Sequence, residues 1–296
     1  MIDPRRVLTF REVARRGSFS DAARALGLSQ PAVSQQVKLL ERQVGAPLLR
    51  RGRGGPRPTD AGALLLEHAE AVAERLALAD SQLAERAAEG RRQVRVGAFP
   101  SAIATLVPAA ITTLERAAHD IDVRLIQGST DALAAKVRAG ELHLALCFQD
   151  AAESPRNHAG TRRRDLLVEP MLAAVGSAHR LARRKQIPLT ALADDVWTAP
   201  SRSGLVHRAC TNAGFEPRIA FETGDPLAIN ALVAGGLAVT LTPRLLAART
   251  PGVRTPALTG TAPRRTIYAL LADTGATPLA MAFLDALADV AEATPA

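Results

Sequence analysis

The sequence predicts an α/β protein in three parts: a small helical unit closed by a basic hairpin, one long helix, and a pair of α/β lobes. Three observations carry this. Residues 1–58 hold twelve Lys/Arg against four Asp/Glu, whereas residues 59–296 hold twenty-five of each, so the whole net charge of +8 belongs to the first unit. Residues 59–89 keep their apolar side chains in step with one face of a single helix. From residue 91 onward strand-like and helix-like runs alternate, the pattern of βα units and largely parallel sheets. At 296 residues with 47% hydrophobic and 22% charged side chains, the chain buries real cores and is not disordered. Aromatics at 3% exclude a reader of single strands that works by base stacking. Cys147 and Cys210 make neither a disulfide framework nor, by themselves, a zinc site. Met1–Arg6 has no apolar core of a secretory signal. The most apolar window, Leu227–Leu241, is interrupted by Asn230 and Gly235-Gly236 and is too short to span a bilayer. A cytoplasmic protein with no membrane partner is expected.

Pro4–Arg16 forms the first helix, with Val7, Leu8, Phe10 and Val13 at helical spacing and Gly17 as its stop. Ser18 caps a second, Phe19–Leu26, whose Ala22 and Ala23 let a neighbour approach closely. Gly27-Leu28 turns the chain, and Ser29 caps a third helix from Gln30 to about Val44, with Pro31 tolerated in its first turn. Helix, short Gly-containing turn, helix is the helix-turn-helix arrangement, in which the second helix enters the major groove. Its candidate contacts are Ser29, Gln30, Pro31, Ala32, Ser34, Gln35 and Lys38, with Arg42 also outward. Gln pairs bidentately with adenine, Ser meets several bases, and the Ala32 methyl suits thymine. A merely solvated face uses the same residue types, but charge asymmetry and spacing point independently to a groove. Leu48-Leu49 then lead into a Gly-rich loop bearing Arg50, Arg51, Arg53 and Arg57, a hairpin wing suited to phosphates. Gly52–Gly55 lacks the Lys-Ser/Thr of a nucleotide loop, and no strand–helix unit surrounds it.

Phe10, Ser18-Phe19-Ser20-Asp21-Ala22-Ala23, Leu26 and Ser29-Gln30-Pro31-Ala32-Val33-Ser34, continued by Leu40-Glu41, Gly45, Pro47-Leu48, Thr59 and Gly62, strongly resemble the N-terminus of LysR-type transcriptional regulators. The resemblance extends over essentially the whole chain, with Leu49 where the family often has Phe. It implies a regulator that binds double-stranded DNA at a pseudo-palindromic operator, senses a small-molecule effector in a C-terminal cleft, carries no cofactor and, as an activator, contacts RNA polymerase.

Thr59 caps the long helix, which runs to about Glu89, with Asp60 near its positive end. Leu65, Ala69, Val72, Leu76, Ala79 and Leu83 alternate spacings of four and three, a heptad seam. Such a seam can pack on its own chain. Against that, one helix-turn-helix reads only a half-site, and pairing two units matches a palindrome. The resemblance also implies a homodimer through this helix, and a tetramer of two dimers.

In the C-terminal portion Val94–Phe99, Ile121–Gln127 and Leu142–Phe148 read as strands, and Ile103–Ala118 and Asp131–Ala139 as helices. A second set has strands Leu172–Val175, Val196–Ala199, Arg218–Thr223 and Leu237–Leu241, and helices Leu205–Ala213 and Pro226–Ala234. Strand Ile267–Leu271 and helix Pro278–Ala293 close the chain. Two such halves joined by crossovers resemble a periplasmic-binding-protein cleft, the effector-domain fold that the LysR resemblance implies. The expected parts are 1–58 for DNA binding, 59–90 for the linker and 91–296 for the effector domain. The first lobe is then 91–161 with 266–296 and the second 162–265, with crossovers near Gln149–Arg164 and Thr223–Asp225.

Open α/β sheets bind ligands at the carboxyl ends of strands, where helix N-termini offer unpaired N–H groups. That rule selects Pro100, Ser101 and Ala102, then Gly128, Ser129 and Thr130, then Phe148, Ser201, Arg202 and Thr223. In the family's pattern these positions line the inducer cleft. Hydroxyls at helix starts and a forked Arg202 suit an anionic effector, an apolar or aromatic molecule being the alternative. Each hydroxyl also reads as an ordinary N-cap. His143, in Gly140-Glu141-Leu142-His143-Leu144-Ala145, stands where the family usually has Asp. A local packing change is expected there, and no second ligand sits at metal-binding spacing. Gly-x-Ser-x-Gly, His-Glu-x-x-His and Walker Lys-Ser/Thr motifs are absent, and both cysteines fall in predicted core positions. No enzyme is expected. The competing class is a bilobal small-molecule-binding or metabolic protein whose basic appendage serves oligomerisation.

Overall fold

The computed structural model describes residues 2–52, 55–87, 92–117, 121–156, 158–247, 251–272 and 276–294. They form two compact units, Met1–Arg86 and Ala87–Ala296. Arg53 of the hairpin and the expected element ends at Glu89 and Ala118 lie outside the described residues.

Capping decides the helices of the first unit. Asp3 accepts the N–H of Arg5 (2.9 Å) at the start of α1 (Pro4–Arg16), and Ser18 that of Asp21 (3.2 Å) at α2 (Phe19–Leu26). Ser29 accepts that of Ala32 (3.4 Å) at α3 (Gln30–Val44). All three helices end on a left-handed glycine, Gly17, Gly27 or Gly45, a backbone state that side chains strain. Phe10, Val13, Val33, Val37 and Leu40 meet between the helices, and Leu48 closes the core. β1 (Leu49–Gly52) and β2 (Gly55–Pro58) pair antiparallel as the hairpin. α4 (Asp60–Ala87) follows, its first turn held by Thr59, whose hydroxyl accepts from Gly62 N–H (3.0 Å) and donates to the Pro47 carbonyl (2.7 Å).

The apolar stripe on α4 is only partly open, which corrects the expected seam. Ala69 is fully buried in the core of the three-helix unit and so closed to a partner, and Leu65 is half-buried against the same core. The cause is that the early turns of α4 lie against α1: Glu70 receives the Arg11 guanidinium (2.6 Å) and pairs with Arg15 (3.8 Å). Val72, Leu76, Ala79 and Leu83, farther along the same stripe, are exposed.

In the second unit β3 (Arg92–Ala98) leads to the one-turn α5 (Pro100–Ile103), then α6 (Leu106–Ala117), β4 (Ile121–Gln127), α7 (Thr130–Arg138) and β5 (Leu144–Asp150). The helix expected over Ile103–Ala118 breaks at Ala104-Thr105, because Pro108 has no N–H to give the Ala104 carbonyl and must sit in a first turn. β6 (Thr161–Gly176) is a single long strand, followed by β7 (Gln186–Ile187), β8 (Val196–Ala199), α8 (Leu205–Asn212), β9 (Arg218–Glu222) and α9 (Pro226–Ala234). β10 (Thr240–Pro243), β11 (Val253–Arg254), β12 (Ala257–Leu258), β13 (Arg264–Ala272) and α10 (Pro278–Glu292) complete the chain.

The main sheet runs β10-β6-β13-β5-β3-β4, with β11 also on β6. Only β4-β3-β5 and the small β8-β9 and β7-β12 pairs are parallel, whereas β5-β13-β6-β10 is antiparallel throughout. The sheets are therefore mixed rather than largely parallel. The crossovers also move. Thr161–Pro170 pairs with β13 and its Leu166 and Leu167 pack on the first lobe's core, while Met171, Ala173 and Val175 of the same strand enter the second lobe's core. The chain thus changes lobe near Glu169-Pro170 and returns at Pro263-Arg264, not at Gln149–Arg164 or Thr223–Asp225. Thr223 instead follows β9 inside the second lobe. α6 and α10 cover the first lobe's core around Leu106, Phe283 and Leu287. Trp197 is fully buried at the centre of the second, its indole N–H on the Leu192 carbonyl (3.2 Å).

Gly62 is the tightest junction of the first unit, since a Cβ there would overlap the carbonyl oxygen of Leu48. Gly→Ala inside a helix ordinarily stabilises. Here the sign reverses: Gly62→Ala should cost about 1–3 kcal/mol in urea unfolding followed by helix signal.

Candidate functional site

The first unit presents one uncompensated basic surface. On α3, Val33, Val37 and Leu40 face the core, leaving Gln30, Pro31, Gln35, Lys38 and Arg42 exposed and Ala32 and Ser34 half-buried. Ser29 is the exposed cap. Beside it the hairpin register sets Arg50 directly opposite Arg57, both exposed, and Arg51 opposite Pro56. Like charges paired across strands repel. The unit's carboxylates are engaged elsewhere: Asp3 with Arg6 (3.3 Å), Glu12 with Arg16, and Asp21 with Arg24 (3.2 Å). Among the described residues no ion pair engages Lys38, Arg42, Arg50 or Arg57. Glu41, the acid nearest them, points inward and accepts the N–H groups of Leu48 (2.9 Å) and Leu49 (3.2 Å). That role was hidden in the sequence, where Glu41 read only as a motif residue. The Gly55 Cα also lies tight against the Gly17 carbonyl, which docks the hairpin on the end of α1.

In the second unit several expected cleft residues converge. Pro100, Ser101 and Ala102 form α5, with Ser101 and Ala102 buried. The Ser101 hydroxyl accepts from Arg265 Nη2 (2.9 Å). Arg265 Nε donates to Glu169 Oε1 (2.8 Å), and the other Glu169 oxygen accepts the N–H of Leu245 (2.9 Å). Phe99 and Phe148 meet edge to face with centroids 4.9 Å apart, and the Arg265 guanidinium lies 5.1 and 5.2 Å from their rings. Thr130 joins through its hydroxyl to the Phe148 carbonyl (3.3 Å). Arg265 and Glu169 are 5% and 2% exposed. Burial pulls the Arg265 pKa down, opposed by Glu169. Neither residue was legible in the sequence, being 96 positions apart on strands whose register no local pattern encodes.

Other expected residues have local duties. Ser129 caps α7 through the Ala132 N–H (3.4 Å), and Gly128 sits where a Cβ would press Leu133 (2.8 Å). In the second lobe Ser201 accepts from the Ser203 N–H (3.2 Å), Thr223 from that of Asp225 (3.2 Å), and Arg202 is paired with Glu222 (3.2 Å). These three stay near the β8-β9 edge, and among the described residues no hydrogen bond joins them to Ser101. His143 resolves the family departure: its Nδ1 accepts the Arg95 N–H (3.0 Å) while its backbone N–H donates to the Arg95 carbonyl (2.9 Å). Placed so, His143 stitches β3 to the start of β5. Among the described residues no group of three or more His, Cys, Asp or Glu could hold a metal, and no helix is long and apolar enough to cross a membrane.

Burial pushes the thiols of Cys147 and Cys210 up to about 12. Neither should react with Ellman's reagent at pH 8 in the native protein, whereas both should in denaturant. Breaking the buried pair is expected to be costly: Glu169→Ala, which strands Arg265, should destabilise by about 3–5 kcal/mol. Arg202→Ala, which breaks an exposed pair, should stay within about 0–1 kcal/mol in the same unfolding titration.

The profile described as "Bacterial regulatory helix-turn-helix protein, lysR family" matches residues 4–63, and that described as "LysR substrate binding domain" matches residues 87–292. The chain is 31% identical to the transcriptional dual regulator GltC of Bacillus subtilis over 252 residues, covering 83% of this chain and 82% of that one. It is 34% identical to the small neutral protease regulatory protein of Streptomyces coelicolor over 236 residues, covering 77% and 73%. Among solved structures, full-length CbnR in complex with its target DNA aligns with TM-score 0.60 at 26% identity, over 97% of this chain and 99% of that one. ArgP from Mycobacterium tuberculosis aligns with TM-score 0.64 at 21% identity, over 98% and 97%, a likeness of fold.

Proposed function

The chain belongs to the LysR family of bacterial helix-turn-helix regulators, a DNA-binding transcriptional regulator with an effector-binding domain and not an enzyme, and from that premise we propose how its own residues divide the work. α3 enters the major groove. Gln30 and Gln35 read base edges, Ser34 and the Ala32 methyl add contacts, and Ser29 and Pro31 set the angle of entry. Lys38, Arg50, Arg51, Arg53 and Arg57 meet phosphates on either side. The observation that carries this is that Lys38, Arg42, Arg50 and Arg57 are exposed and that no ion pair among the described residues engages them. Arg50 opposite Arg57 costs stability until phosphates lie between them.

Two chains pair through the open part of α4, at Val72, Leu76, Ala79 and Leu83, on a pseudo-palindromic operator in the cytoplasm, and two dimers make a tetramer. A small-molecule effector binds between the lobes near Ser101, Thr130 and Phe148, with Pro100, Ala102, Gly128 and Ser129 behind them and Ser201, Arg202 and Thr223 on the facing lobe. An effector that uses the Ser101 hydroxyl competes with Arg265, so binding and the tie between lobes are coupled. The effector acts by favouring one arrangement of the lobes, which re-spaces the paired DNA-binding units and, at an activated promoter, their contact with RNA polymerase.

Gel-shift titration separates the roles. The double variant Arg50→Ala/Arg57→Ala should weaken binding to operator and random duplex alike and flatten the salt dependence by about two units of log–log slope. Gln35→Ala should instead cost about 1–3 kcal/mol on the operator and leave random duplex nearly unaffected. Unchanged retention in both variants would overturn the assignment of this surface.

A further inference from the structure

A cavity of about 560 Å³ lies behind the crossovers, walled by residues from both lobes. Asp150 ends β5 of the first lobe and Ala151 and Ala152 follow it, Leu189, Thr190, Ala209 and Asn212 belong to the second, and Thr261–Arg264 is the returning crossover itself. None of the residues expected around Ser101 or Ser201 lines it. The volume falls within the range of small-molecule sites, and the lining has their composition, mostly apolar with a few placed polar groups. We propose that this cavity is a second ligand site, separate from the cleft at Ser101, that takes a compact uncharged molecule with an apolar body and one hydrogen-bond donor such as a hydroxyl.

The chemistry follows from the lining. Asp150 is its one carboxylate, with a side chain only 12% exposed. One Asp150 oxygen accepts the Ala152 N–H (3.0 Å), and the other faces Arg208 Nε at 3.5 Å, beyond hydrogen-bond geometry. Arg208 Nε is itself buried with no hydrogen-bond partner among the described residues. Asp150, ion-paired with Arg208 and bonded to one backbone N–H, keeps acceptor capacity to spare, which selects a hydrogen-bond donor. The lining's one cation, Arg264, is turned to the Val168 carbonyl (3.3 Å), so it does not invite an anion back. Pro188, Leu189, Leu258, Ala262 and Pro263 supply the apolar wall. An occupant touches both lobes and the crossover between them, so its binding favours one setting of the lobes over others.

Differential scanning fluorimetry of the full chain with cyclohexanol, benzyl alcohol and indole tests this, with toluene as the probe that lacks a donor. At least one donor-bearing probe should raise Tm by about 3 °C at saturation. Asn212→Trp fills the cavity from an exposed helix position that does not endanger folding, and should abolish that shift. Asp150→Asn should reduce the alcohol shifts and leave any toluene shift unchanged. Ser101→Ala should keep the full response. The inference is overturned if no probe shifts Tm, or if Asn212→Trp responds like the parent. Loss of the response in Ser101→Ala also overturns it, placing the probes in the other cleft and leaving the regulator reading intact.

Discussion

A basic surface survives on a folded protein only when the acids within reach are occupied by something else. In the three-helix part, residues 2–52, each of the four carboxylates has such an occupation. Asp3 holds the start of α1, Glu12 and Asp21 sit one turn from their own arginines, and Glu41 is turned inward onto two backbone N–H groups below the hairpin. Glu41 matters most, because the same carboxylate on the outer face of α3 would neutralise Lys38 or Arg42 and cancel the field a phosphate backbone responds to. Fold and field are thus settled by one set of side chains: among the described residues, the bonds that fasten the hairpin to α3 leave Arg50 and Arg57 with no ion pair.

The effector domain is organised around a different electrostatic economy. Removing an arginine and a glutamate from water is expensive, and the expense is met only when nearly every remaining donor and acceptor is satisfied. Arg265 and Glu169 approach that condition by recruiting Ser101 from α5 of the first lobe, Leu245 from the second, and two aromatic faces. They stand where β6 and β13 carry the chain between lobes, so the arrangement of the lobes and the solvation of this pair change together. A regulator that must distinguish two lobe arrangements gains from such a device, since a small displacement there alters several strong contacts at once.

How far the chain could be read from its residues depended on how local each signal was. Ser18, Ser29, Gly17, Gly27 and Gly45 act within four residues of where they stand, and they delimit the three helices as read. Strand ends and helix starts recur along the chain, and of the residues they select, Ser101, Thr130 and Phe148 gather around Arg265. The lobe crossovers were not legible. Thr161–Glu169 carries Arg162, Arg163, Arg164 and Asp165, a charged run resembling a loop, and it becomes a strand only because β13 lies beside it. The α4 stripe was legible as a face, yet nothing in a heptad says that Leu65 and Ala69 will be taken by the chain's own α1. Likewise His143 in place of the usual Asp gains meaning only when β3 brings the Arg95 backbone alongside.

The central claim, that the first turns of α3 lie in the groove of a duplex, is tested most directly by a photoreactive side chain placed at position 35 of the full-length protein. Irradiated with operator duplex, it should attach to a base, and excess unlabelled operator should suppress the product. If position 35 yields no adduct while a probe at Glu67 on the outer face of α4 does, α3 is not the reading element and the account fails.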